Sequence, residues 1–196
     1  MKSLILTLLI SLVVFTGVSA QEMAFQGKWN LIKEGSSDLD YFRNITLQFT
    51  VKQDEITIAK EYGPRRKSAE SMVLKTDGAK NSVAVKNRAF LSNFFMGLKI
   101  APHTTKEVTA SWTRENVLAI HERYNVASSQ GTKSLEVRST YELSGDKDLL
   151  TYTIQRSSRK VGAPMKFIFK RADKNNAYVY QMNDDWDIRS GLPTQA

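Results

Sequence analysis

Glu122 is the carboxylate in this sequence with the setting most suited to chemistry. The alternation of its segment puts it on the same face as Ile120 and Tyr124, while Lys60 and Lys106 occupy matching apolar-phase positions on other segments. A carboxylate among lysines and tyrosines can take a proton as a general base, or it can simply pair with one of those lysines. Lys33, Lys60, Tyr62, Lys106, Glu122, Tyr124 and Arg156 all fall on the apolar phase of their segments, and all at the same end. Burying unpaired charge is costly, so such groups belong at a wet opening or against a partner. An amphipathic ligand would satisfy the pattern, its apolar part among Trp112, Ile120, Tyr152 and Phe167 and an anionic head at Lys60, Lys106 or Arg156. Snorkelling of strand-end charges into solvent would satisfy it too.

Other reactive constellations do not assemble. The two histidines, His103 and His121, have no partner at metal or triad spacing. Asp38 and Asp40, and Asp184, Asp185 and Asp187, lie in loop-like sequence without EF-hand spacing. Gly-rich phosphate loops and Gly-x-Ser-x-Gly are absent, and there is no cysteine for thiolate or redox work. No catalytic residue, metal ligand or cofactor is therefore expected.

The elements that would position these residues are strands. Ile45, Leu47, Phe49 and Val51 alternate with Asn44, Thr46, Gln48 and Lys52, the period-2 pattern of a half-buried strand. Gln53-Asp54 turns this segment into a second strand over 55–62. The unit recurs at 69–76 and 80–87 around Asp77-Gly78, at 105–114 and 117–124 around Glu115-Asn116, and at 133–143 and 148–156 around residues 144–147. With 27–33 in front and 164–171 behind, about ten strands are expected. A meander this long is best relieved of exposed edges by closing on itself. The expected fold is all-β, a closed antiparallel up-and-down barrel of about eight to ten strands, with a two-sheet sandwich as the alternative. Residues 88–103, carrying Phe90, Leu91, Phe94, Phe95, Leu98 and Ile100, read as one short amphipathic helix: a lid, a membrane-touching patch or a plug.

Phe25-Gln26-Gly27-Lys28-Trp29 places Gly-x-Trp at the start of the first strand, and Phe167-Ile168-Phe169-Lys170-Arg171 ends the last strand on an inward-phase arginine. At these two places the chain resembles the lipocalins and the wider calycin group. The resemblance implies that Trp29 lies across a closed barrel floor under Arg171, with Gly27 beside them, and that the barrel binds a small hydrophobic molecule. Ten strands instead of eight look more like the fatty-acid-binding branch, yet 34–42 is too short for that branch's two-helix cap.

Strand direction sorts the connections by end. The turns at 53–54, 77–78, 115–116 and 144–147 share an end with Trp29 and Arg171. The longer connections 34–42, 63–68, 88–104, 125–132 and 157–163 share the other, where the inward lysines lie.

Residues 1–20 read as a secretory signal peptide: Lys2, an apolar run from Leu4 to Phe15, and Val18-Ser19-Ala20 as a small-x-small cleavage site. Residues 21–171 form the expected barrel domain and 172–196 a tail. The formal charge is +8 among 196 residues, one less without Lys2. A basic export points to acidic headgroups, anionic glycans or an anionic ligand. The basic residues are scattered along strands and form no dense block, which argues against nucleic acid. The expectation is a secreted, periplasmic or extracellular, monomeric barrel for a small hydrophobic or amphipathic ligand, with an anionic membrane surface as a further candidate partner. The alternative is a filled-core barrel that acts as an envelope or matrix module through its basic surface.

Overall fold

The computed structural model describes residues 20–39, 44–63, 68–85, 99–100, 104–128, 131–157, 163–172, 186–187 and 192–193. Alternation dictates the result. In β2 (Asn44–Lys52) Ile45, Leu47 and Phe49 are buried while Gln48 faces solvent, and β3 (Glu55–Gly63) buries Ile56, Ile58, Lys60 and Tyr62 in the same way. The other strands are β1 (Gly27–Ile32), β4 (Ser68–Lys75), β5 (Asp77–Ala84), β6 (Lys99–Ile100), β7 (Thr105–Arg114), β8 (Val117–Ser128), β9 (Gly131–Leu143), β10 (Leu149–Arg156) and β11 (Met165–Arg171). A four-residue helix, α1 (Ala20–Met23), precedes β1, and a separate two-residue pair joins β12 (Trp186–Asp187) to β13 (Leu192–Pro193).

Ten of these strands form one antiparallel sheet in the order β4-β3-β2-β1-β11-β10-β9-β8-β7-β5, with β6 attached to β8. The sheet curls into a nearly closed barrel, so the expected fold class holds and the sandwich does not. First and last strands pair side by side, with Trp29 opposite Arg171 and Leu31 opposite Phe169.

Three local expectations change. Residues flanking Asp77-Gly78 were expected to pair as a hairpin, yet β4 and β5 share no ladder and leave a seam. The cause is the composition of β5, which buries no side chain fully and offers the interior only half-buried Asn81 and Val83. Asn81 stands in for the missing ladder: its Oδ1 accepts from the Lys75 amide at 2.9 Å and its Nδ2 donates to the Lys75 carbonyl at 3.4 Å. The same amide group reaches the Ala79 and Val108 carbonyls, each at 3.2 Å.

Residues 125–128 and 131–132 continue the β8–β9 ladder, paired out to Ser128 and Gly131, where a long loop was expected. This ribbon runs on past its neighbours at the long-loop end, where β6 pairs with Val126 and Ala127. Lys99 and Ile100 are therefore strand, inside the segment expected to be helical. Most of that segment (88–98 and 101–103), like the leader and most of the tail, lies outside the described residues.

Candidate functional site

At the tight-turn end Arg171 packs over Trp29. The Arg171 guanidinium lies 4.2 Å from the centre of the Trp29 ring and donates to the carbonyls of Gln26 at 2.9 Å, Ala24 at 2.6 Å and Lys147 at 3.3 Å. The Trp29 indole N–H donates to the Phe25 carbonyl at 3.0 Å. Gly27 has φ +119°, in the region that favours glycine, and a Cβ there would sit 3.5 Å from Arg171 Nη1.

Above the floor, aromatic rings meet across the interior. Phe25 is edge-on to Phe49 and to Trp112, with centroids 5.8 and 5.0 Å apart, and Phe49 is edge-on to Tyr141 at 5.3 Å. Tyr141 stacks on Tyr152 at 4.5 Å with the planes 7° apart, and Tyr152 continues to Phe167 at 6.0 Å. Each link beyond the stack joins strands or segments well separated in the sheet or packs neighbours inward, so the lower barrel is tied together through its middle.

The inward ionisable groups gather above and beside these rings. Lys106 on β7 bonds Glu70 on β4 at 2.5 Å and Glu122 on β8 at 3.0 Å. Because β4 and β7 lie on opposite sides of the seam, the Lys106–Glu70 bridge closes by side chains what the backbone leaves open. Burial opposes the Lys106 charge, but Glu122 and Glu70 outweigh it and raise its pKa. Burial likewise opposes ionisation of Glu70, yet Lys60 and Lys106 hold its carboxyl below the usual range.

Lys60 differs. It is 4% exposed, lies opposite Glu70 in the β3–β4 register, and forms no ion pair among the described residues. Its ammonium sits over the rings of Tyr152 and Tyr141, 5.0 and 5.8 Å from their centres, and donates one long hydrogen bond, 3.5 Å, to the Tyr152 hydroxyl. Burial works against its charge, while Tyr141, Tyr152, Tyr62 and Glu70 raise its pKa well above the usual lysine value. Burial also pushes the hydroxyls of Tyr62, Tyr124 and Tyr141 upward, so all three are neutral phenols at physiological pH. On β9, the Tyr141 hydroxyl has only the Lys60 ammonium beside it, and the buried hydroxyl of Ser139, one inward step nearer the long-loop end, has no hydrogen-bond partner among the described residues.

Among the residues singled out by sequence, Lys60, Tyr62, Lys106, Glu122 and Tyr124 are thus buried together, with Lys106 also 5.5 Å from the Tyr124 ring centre. Trp112 is half-buried and packs toward the floor against Phe25, and Arg156 is half-buried on β10. Lys33 is exposed one residue beyond β1 and stays outside the cluster, because the alternation that places it inward ends with the strand. Sequence reasoning missed Glu70 and Ser139. Their signal was available, since Glu70 shares its phase with Met72 and Leu74, and Ser139 lies between Val137 and Tyr141. Glu122 pairs through Oε2 with Lys106 at 3.0 Å, which favours the ion-pair reading of that residue over the general base.

No family model and no curated protein matches the chain. Solved structures similar to it include secretory abundant heat soluble protein 4 from Ramazzottius varieornatus, at 12% identity and a TM-score of 0.45, covering 76% of this chain and 96% of that one. Another is zebrafish ileal bile acid-binding protein complexed with cholic acid, at 14% identity and a TM-score of 0.42, covering 76% of this chain and 98% of that one.

Proposed function

We propose that the chain is a secreted, monomeric binding barrel for a small hydrophobic or amphipathic molecule, which is admitted at the long-loop end and places its polar head against Lys60, Ser139 and Tyr141. The observation that carries this reading is Lys60 itself. A buried ammonium has three N–H donors, and this one meets only the Tyr152 and Tyr141 hydroxyls, with the buried Ser139 hydroxyl without a partner among the described residues. Unmet buried polar groups are expensive, and a ligand that brings acceptors to them recovers that cost. Mass spectrometry of protein purified gently from its source tests the reading, with a co-purifying amphiphile as the expected result. An apo mass, together with no binding from a panel of amphiphiles, would overturn it. Secretion is checked separately, by N-terminal sequencing that finds Gln21 first.

The packing across the lower barrel favours a second reading, in which the interior is filled and the basic exterior binds an anionic envelope or matrix. Under that reading the same apo protein binds anionic vesicles in low salt and releases them as salt rises.

A further inference from the structure

Between β1 and β11 the barrel wall changes character at the long-loop end. The backbone ladder runs only as far as Ile32, opposite Ile168. The chain then turns through 33–36, where the Ser36 N–H donates to the Lys33 carbonyl at 3.1 Å and Gly35 has φ +73°. A Cβ on Gly35 would meet Ile168 Cδ1 at 3.1 Å, so the turn and its closeness to β11 both call for glycine. Past the turn the chain returns to β11, held mostly by hydroxyls. Ser36 Oγ accepts from the Ile168 N–H at 2.9 Å and donates to the Ile32 carbonyl, and Ser37 Oγ accepts from the Lys166 N–H at 2.9 Å. One backbone bond, from the Ser37 N–H to the Lys166 carbonyl at 2.7 Å, completes the junction.

This strap, 33–39, buries a single side chain. Leu39 is 5% exposed and belongs to the core, while Lys33, Glu34, Gly35 and Asp38 face solvent and the two serines are half-buried. Lifting the strap breaks one backbone bond to β11, trades serine hydroxyls for water and uncovers one leucine, far less than unfolding a strand of the sheet. The other break in the wall, the β4–β5 seam, is fastened across by the Lys106–Glu70 ion pair and by Asn81 on Lys75. From this contrast we infer that the strap is the passage by which the ligand enters and leaves. It swings out on the Gly35 turn, withdraws Leu39 from the interior and opens the wall between β1 and β11 at the long-loop end. Ser36 and Ser37 are positioning residues, which set how often the passage opens without touching the ligand. The inference rests on the binding reading proposed above and adds the route to it.

Hydrogen exchange at single amides of the full mature protein tests the opening. Successive amides of β11 point alternately to its two neighbours, so Lys166 and Ile168 face the strap while Phe167 and Phe169 face β10. Lys166 and Ile168 are expected to exchange at least about tenfold faster than Phe167 and Phe169, and faster again in Ser36→Ala/Ser37→Ala. Equal rates at all four amides would overturn the inference. Uptake of anilinonaphthalene sulfonate in stopped flow tests the passage, with Ser37→Cys/Lys166→Cys. The chain has no other cysteine, so oxidation ties the strap to β11 and reduction frees it in the same molecule. The oxidised form is expected to take up the probe at least about tenfold more slowly, with the rate restored by reductant. Where that bond does not close, Leu39→Ala serves, and should speed uptake and release together. Uptake as fast in the oxidised form as in the reduced one, or unchanged in Leu39→Ala, would overturn the passage and leave the binding barrel standing. No binding of the probe to the unaltered protein would remove the binding barrel, and the passage with it.

Discussion

A single side chain, Lys106, holds two carboxylates at once, buried Glu122 and half-buried Glu70, so removing it should harm the fold more than removing everything it touches. Lys106→Met leaves buried Glu122 and half-buried Glu70 without their cation and is expected to destabilise the protein by about 3–5 kcal/mol, read from urea unfolding. Adding Glu70→Gln and Glu122→Gln to the same chain should recover much of that loss, because no uncompensated charge then remains. The pair also fixes a pH dependence. Glu70 titrates below its unfolded value of about 4.3, so its contribution is complete above that pH and is lost as pH falls through its folded value. Lys106 is raised, so its contribution is complete below lysine's unfolded value of about 10.4 and is lost as pH rises through its own folded value. Urea midpoints measured against pH should therefore show an acid limb that Glu70→Gln flattens. An acid limb of unchanged depth in that variant would place the sensitive group elsewhere.

At the scale of the strands, alternation made nearly all of the sheet legible. It places Ile45, Leu47 and Phe49 inward whatever β2 pairs with, and the same logic identifies Lys60, Lys106 and Glu122 as inward before any neighbour is known. Pairing is a different matter, because a ladder belongs to two strands. Asp77-Gly78 is a good turn, with φ +82° at Gly78, yet a turn reverses the chain without obliging β5 to lie against β4. The extension of the β8–β9 ribbon out to Ser128 and Gly131 was equally hidden, since Asn125 and Ser128 carry loop-like composition that the ladder overrides. Partnership between charges escaped for a further reason. Glu70 meets Lys106 only because the barrel curls β4 toward β7, a contact 36 residues apart in the chain. The seam itself is testable. Asn81→Ala removes the bonds that hold Lys75 to β5 and should cost about 1–2 kcal/mol, with faster hydrogen exchange at the Lys75 amide as its local signature. Exchange at Lys75 no faster than in the parent would mean that Asn81 does not hold the seam.

For the whole molecule, the decisive contact joins the two ends of the described barrel. Trp29 faces Arg171 across the β1–β11 ladder, so the closing pairing forms only after nearly the full domain has been gathered. Such long-range closure is slow, and refolding is expected over milliseconds to seconds, followed by tryptophan fluorescence in stopped flow. Refolding in microseconds would contradict it. The absence of cysteine leaves this closure to packing, hydrogen bonds and the buried charges alone.

The seam finally gives the molecule a chemical lifespan. One primary amide, on Asn81, acts where a strand of backbone would otherwise be, with its nitrogen turned toward the carbonyls of Lys75, Ala79 and Val108. Hydrolysis of that amide to the acid changes the side chain's size hardly at all, yet it exchanges two donors for an oxygen that repels all three carbonyls. An aged preparation would then differ from a fresh one by a single dalton and by a barrel that opens along one line.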